Sequence, residues 1–345
     1  MSEIEQPQGL SDLCRRHAIT LHPFDMGRQL RPWDADAFAA LEAGTIAYPW
    51  PFQRKARLAL VGSGEADEPF VWFLDLPLDE AGHLHPAVRD DLLARLAAAH
   101  AQADQPDPLT DPLKDSAYGF TPDQERMAAL HARAAADLGR PASAYYDHAR
   151  LYLDGEHGWE QWAFLGLQGL ADVAARIDRD DNARRVAEAL PHLPEVPFNT
   201  LCQQLEHATP PDELAEALLS HLEESTAPER AAVLLRALSG AATPAVREGR
   251  RAWLRRRLEG AEPEQEMPLL AALAARGWDD LAEPAIAAAF LEALIRGPAG
   301  EEGFNQTLRE LLGLVELRPQ LRPVLLAEER SAAVREAVHA FGLGG

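Results

Sequence analysis

From Thr121 to the C-terminus the chain reads as one short amphipathic helix after another, with almost no β-rich run between them. Thr121 followed by Pro122 has the form of an N-cap with proline at the first helical position, and Met127, Leu130, Ala134 and Leu138 line one side of the helix it would open. Residues 159–177 are the longest helical candidate. Trp162, Leu165, Gly166, Gly169, Leu170 and Val173 share one side of it, where the two glycines permit close helix approach. Further stripes fall at Ala231, Leu234, Leu235 and Leu238; at Met267, Leu270, Ala271 and Ala274; at Phe304, Leu308, Leu311, Leu312 and Val315; and at Val334, Ala337, Val338 and Phe341. Helices this short are not stable alone, so each stripe must be buried against neighbours, and short breaks make consecutive helices antiparallel. Paired helices recurring at roughly 35 to 45 residues fall in the range of HEAT-like arrays. The spacing predicts a mostly helical region, built either as an irregular HEAT-like solenoid or as a helical bundle.

The first hundred residues are of another kind. Residues 56–61 and 70–76 are apolar and partly β-branched or aromatic, and the turn-rich stretch from Gly62 to Glu68 between them makes a hairpin. Residues 19–25 add a third strand, with Pro23 pointing to an edge position or a bulge. Asp34 is an N-cap for a helix over 35–43, with Gly44 as its stop. A helix over 86–102 carries Val88, Leu92, Leu96 and Ala99 on one face and covers the sheet. Residues 103–115, with four aspartates and three prolines, sustain neither a core nor a helix. The expected organisation is a small α+β domain with an antiparallel sheet over 1–102, an acidic proline-rich linker over 103–120, and an all-α helical-hairpin array over 121–345.

Apolar residues at 47% and charged residues at 26% are the balance of a folded globular chain. The start of the chain lacks the basic and apolar runs of a signal peptide, and no apolar run approaches the roughly 18 residues of a membrane span. Cys14 and Cys202, the only cysteines, have neither metal-like nor disulfide-like spacing. A cytoplasmic protein without membrane contact is expected. Thirty-three basic against fifty-five acidic residues give a formal charge of −22, which repels phosphate backbones and disfavours nucleic acid as a general partner.

No nucleophile elbow, Walker loop, H-E-x-x-H or dinucleotide-binding glycine motif is present, so no catalytic residue, metal or cofactor is assigned. Asp79, Glu80, His83, His85, Asp90 and Asp91 crowd together after the second hairpin strand. A metal site there competes with a plainer reading, a polar turn followed by acidic residues favouring a helix N-terminus. His148, Glu156, His157 and Glu160, near Tyr145, Tyr146 and Trp159, could serve acid–base work, but fit better as an interhelical loop with aromatic anchors.

Two segments are candidates for binding. In Tyr48-Pro49-Trp50-Pro51-Phe52 the prolines stiffen an extended stretch, so Tyr48, Trp50 and Phe52 either dock a partner or ligand or pack into the small domain's core. Residues 246–258 hold six arginines. At 100° per residue, Arg247, Arg250, Arg251, Arg255 and Arg257 fall within about 160° of one another, opposite Ala245, Val246, Gly249, Ala252 and Trp253. Such a face could take an acidic protein segment or a nucleic-acid backbone. Alternatively Glu216, Glu223, Glu224, Glu262, Glu264 and Glu266 neutralise it from within the chain.

Phe24-Asp25-Met26-Gly27-Arg28, Tyr48-Pro49-Trp50-Pro51, Trp72-Phe73-Leu74 with Pro77-Leu78-Asp79-Glu80, Pro141-Ala142-Ser143 with Tyr145-Tyr146, and Gly158-Trp159-Glu160-Gln161-Trp162 with Gly166-Leu167-Gln168-Gly169-Leu170-Ala171-Asp172 together resemble the bacterial domain of unknown function family 3549. The resemblance implies a Gram-negative bacterial protein of about this length, and carries over no activity or catalytic residue. Two functions stay open. One is a non-enzymatic helical scaffold or adaptor that binds a protein partner through a face of the array, the aromatic segment or the arginine face. The other is an enzyme or small-ligand binder with a pocket between the α+β unit and the helices, where Asp25, Arg28, His83 or His148 would converge.

Overall fold

The β-branched and aromatic runs near the N-terminus form the sheet in the computed structural model, which describes residues 7–64, 69–101, 116–260, 262 and 264–343. Strands β1 (Thr20–Asp25), β2 (Arg31–Pro32), β3 (Lys55–Ser63) and β4 (Phe70–Pro77) make one antiparallel sheet in the order β2-β1-β3-β4. β1 is an inner strand, and Pro23 sits opposite Leu60 of β3. Its carbonyl accepts from the Trp33 N–H at 2.8 Å. The backbone edge lacking an N–H therefore faces the short β2 side, so the ladder to β3 loses nothing.

Leu21, Leu58, Leu60, Trp72, Leu74 and Leu76 form a core with Leu10 and Cys14 of α1 (Leu10–Arg16), Phe38 and Leu41 of α2 (Ala35–Glu42), and Val88 and Leu92 of α3 (Pro86–Ala101). Asp34 caps α2 by accepting from the Ala37 N–H at 2.9 Å, and Gly44 leaves the helix at φ 71°. Residues 116–120, expected to end the linker, instead line the open edge of β4. The Asp75 N–H donates to the Tyr118 carbonyl at 2.7 Å, and the Phe120 ring meets Phe73 edge-on at 5.8 Å. The rest of the expected linker (103–115), the hairpin tip (65–68) and the side chains of Leu96 and Ala99 lie outside the described residues.

Contacts divide the chain into two compact units, Met1–Asp123 and Gln124–Gly345. The second is built of α4 (Gln124–Asp137), α5 (Tyr146–Leu153), a 3-10 helix (Trp159–Phe164), α6 (Leu167–Ala175), α7 (Asn182–Ala189), α8 (Glu195–Leu205), α9 (Asp212–Glu224), α10 (Pro228–Ala237), α11 (Pro244–Glu259), α12 (Met267–Ala275), a second 3-10 helix (Trp278–Ala282), α13 (Pro284–Arg296), α14 (Gly300–Gly313), α15 (Arg318–Leu325) and α16 (Ala332–Ala340). From α4 to α13 the helices alternate between two rows. α4, α6, α8, α10 and α12 pack successively in one row; α5, α7, α9, α11 and α13 do so in the other; and α14 to α16 gather on α13. One apolar core runs from Tyr146 to Val338, and a smaller cluster joins Ala128 and Ala132 of α4 to Ala171 of α6.

Three local expectations change. α4 begins at Gln124, beyond Thr121 and Pro122. Residues 159–177 are not one helix, because Leu165 and Gly166 are extended. The break turns Trp159 onto Tyr152, at 5.7 Å between ring centroids, and onto His192, at 5.3 Å. It also lets α6 approach α5 so closely that a Cβ on Gly169 would lie 2.6 Å from the Tyr145 carbonyl oxygen. In α12 the buried residues are Leu269, Leu270, Ala272 and Leu273, and Ala271 is exposed. That helix is apolar all round, so periodicity could not choose its inner side.

Candidate functional site

The aromatic-proline segment is wall material for the first unit. Tyr48 is fully buried, and its hydroxyl donates to Asp25 Oδ1 at 2.6 Å, which also accepts from the Gly27 N–H at 2.9 Å. Burial pushes the Asp25 carboxyl above its ordinary range, against the pull of these hydrogen bonds. Trp50 is half-buried, edge-on to Trp33 and Tyr48 at 6.3 and 6.1 Å, with the Arg31 guanidinium 4.5 Å from its ring centroid. Phe52 opens a two-residue turn in which its N–H and carbonyl both pair with Lys55 at 3.0 Å, while Gln53 and Arg54 take φ of 52° and 60°. The Asp79 carboxylate accepts from the Ala81 and His83 N–H groups at 2.9 and 2.8 Å, closing a polar turn. Among the described residues no group of three or more His, Cys, Asp or Glu is placed to hold a metal ion.

In α11, Val246, Arg250, Leu254 and Leu258 recur every fourth residue and are all buried. Arg250 therefore lies in the inward ridge and is not part of a solvent face, a correction to the helical-wheel reading. It makes a two-pronged pair with Asp280 at 2.7 and 2.9 Å and donates to the Leu238 carbonyl at 2.5 Å. Arg251 reaches the same carboxylate at 3.0 Å. Arg255 pairs with Glu248 and Glu283 at 2.5 and 3.3 Å, and Arg257 with Glu266 at 2.6 Å. Arg247 is exposed and has no ion-pair partner among the described residues.

A second buried ionic group, which no sequence pattern marked, joins one row of helices. Glu206, just past α8, takes two hydrogen bonds from Arg276 at 3.0 and 2.8 Å and one from Arg236 of α10 at 2.5 Å. Burial alone would raise the Glu206 pKa, but the Arg276 and Arg236 guanidinium groups outweigh it and hold it at about 2. Burial, reinforced by the nearby arginines, keeps neighbouring His207 neutral with a pKa lowered to about 3. Arg276, Arg236 and Glu206 come from helices up to 70 residues apart.

The loop expected to be held by aromatic anchors divides its two tyrosines. Tyr146 is 8% exposed, and its hydroxyl donates to Asp180 at 2.8 Å. Tyr145 is 57% exposed, with its ring against Gly166, and Phe164 is 75% exposed. Leu165 packs partly against the core, and the Tyr145 ring lies beside Gly166, two residues along the chain from Phe164. His148, one turn along α5, stacks on His157 at 4.9 Å, and Leu151 is 38% exposed one turn further.

The family model described as Protein of unknown function (DUF3549) matches residues 5–341 of the 345-residue chain. The chain belongs to that family. No curated protein and no solved structure matches it. The family match spans both units, so the aromatic segment, the arginine helix, the Glu206 group and the Tyr145–Phe164 face all lie inside the family domain. Of the five arginines singled out in the sequence, four spend their charge on acids of the same unit. Tyr145 and Phe164 are large, apolar and turned to solvent. The signal that separates Tyr145 from Tyr146 is elementary: neighbours on a helix lie about 100° apart, so one core-facing arc seldom holds both.

Proposed function

We propose that the chain is a non-enzymatic helical scaffold that binds a protein partner along the α5 edge of its second unit. The observation that carries this reading is the exposure of Phe164 and of Tyr145, whose ring lies beside Gly166 two residues from Phe164, on helices anchored by an extended core. Covering the exposed part of one such ring is worth roughly 2 kcal/mol, which an association can use and a solitary chain forgoes. The backbone beneath is preorganised, because the close approach at Gly169 fixes α5 against α6. The buried ionic groups support the same reading from the other side, since their charges are already matched within the chain and are not held out toward a reacting centre. Among the described residues no helix is long and apolar enough to cross a membrane. A reducing, cytoplasmic compartment suits Cys14 and Cys202, which are buried free thiols.

The test is affinity purification of the full chain from its native host beside a Tyr145→Ser/Phe164→Ser variant. The wild type should retain at least one protein that the variant loses. Identical partner sets would sink the assignment of this edge.

A further inference from the structure

Resting on that reading, we infer that the segment docked on the α5 edge is basic, carrying lysine or arginine beside one or two aliphatic or aromatic side chains. Between residues 141 and 165 the chain has four carboxylates, Asp147, Asp154, Glu156 and Glu160, against a single arginine, Arg150. Asp154 is engaged by Arg185 at 2.6 Å. Asp147 is 87% exposed and touches Arg150 only at 3.5 Å. Glu156 and Glu160 are exposed, with no ion-pair partner among the described residues.

Asp147, two residues from Tyr145 and only loosely paired, and Glu160, four residues from Phe164, therefore place negative charge beside the apolar pair. Such charge acts over roughly 8–10 Å at ordinary salt. An apolar centre with a rim of one sign selects a partner of the opposite sign, because like-charged rims raise the energy of encounter and of the docked state alike. An acidic segment would meet this rim with repulsion. A second copy of the chain, docking through the same edge, would bring carboxylates onto carboxylates.

The experiment places a photo-reactive phenylalanine analogue at Phe164 of the full chain in the native host, and identifies the peptide that carries the adduct. A matched analogue at Val315, 48% exposed elsewhere in the unit, sets the background. The expected adduct lies on one protein, within a few residues of lysine or arginine. Its yield falls about three- to tenfold in an Asp147→Asn/Glu160→Gln variant, the range for removing rim charges. An adduct on an acidic or uncharged segment, or on a second copy of the chain, overturns the inference, as does a yield indifferent to the two carboxylates. If the Tyr145→Ser/Phe164→Ser variant still loses a partner in those cases, the docking edge stands and only its charge preference falls. If no adduct exceeds the Val315 background, both fall.

Discussion

Arg250 offers the sharpest test of how the helical rows are held in register. Its side chain is 2% exposed and that of Asp280 is fully buried, so neither charge is screened by water. Replacing Arg250 with methionine keeps most of the volume but removes two hydrogen bonds to Asp280 and one to the Leu238 carbonyl. Stripping one partner from a buried pair costs about 3–5 kcal/mol. Arg251, still 3.0 Å from Asp280, softens the loss, while the orphaned carbonyl adds about 1 kcal/mol. The expected cost is about 4 kcal/mol. That is a large share of the roughly 5–15 kcal/mol that holds a domain together.

Asp280→Asn in the same chain removes the stranded charge but leaves an acceptor for Arg251. The double variant should therefore recover about 2 kcal/mol relative to Arg250→Met alone, a coupling that independent sites do not show. Urea unfolding followed by far-ultraviolet circular dichroism reads the midpoint, with a shift of roughly 1.5 M expected for the single variant. Amide exchange of α10, α11 and α13 shows whether the loss is local. A cost below about 1 kcal/mol, or a cycle with no coupling, would falsify the buried pair and return Arg250 to the solvent face.

Two further outcomes follow from the geometry. His207 is neutral in the fold down to a pKa of about 3, against an ordinary value of 6.5, so the unfolded chain takes up this proton first and stability declines as pH falls below 6.5. Glu206 adds its own loss only as pH drops from its ordinary 4.5 through about 2, so the urea midpoint of the wild type should fall relative to that of His207→Gln as pH is lowered from 6.5 to 4.5; a constant difference refutes the neutral burial. Gln53 and Arg54 occupy the two central positions of a hairpin turn at positive φ, where Asn-Gly is the favoured pair, so Gln53→Asn/Arg54→Gly should stabilise the first unit by roughly 0.5–1 kcal/mol. An unchanged or lower melting temperature argues against that turn.

What could be read from the chain was whatever is decided locally. Asp34 and Gly44 bound α2 because a cap and a left-handed exit need only a few neighbouring residues. The strands stood out because β-branched and aromatic residues cluster there. The inner side of α12 did not, since every residue in it is apolar or alanine-sized. The break at Leu165 and Gly166 depends on Tyr152 and Gly169 meeting partners elsewhere in the fold. Arg250 was hidden for a different reason. Counting arginines as surface residues excluded it from the ridge formed with Val246, Leu254 and Leu258, and the carboxylate that admits it to the core lies 30 residues away.

That displacement of arginine reverses the partner chemistry suggested by the sequence. A basic face on α11 called for an acidic segment, provided its charges were available. Arg250 and Arg276 are buried, and Arg236, Arg251, Arg255 and Arg257 are committed to carboxylates of the same unit. These arginines share five carboxylates among them, Asp280, Glu206, Glu248, Glu283 and Glu266, so positive charge is drawn into the fold without altering the chain's overall excess of acid. The −22 is then spread over a surface with fewer arginines than the composition suggests. Along the α5 edge Arg150 and Arg185 meet four carboxylates, and Asp147 and Glu160 stand within four residues of the two exposed rings, so that excess is local and adjoins the apolar surface that association would cover. The proposal of a basic partner rests on this consequence of packing: the chain consumes its own positive charge to hold the rows of helices together, and leaves its acids facing outward.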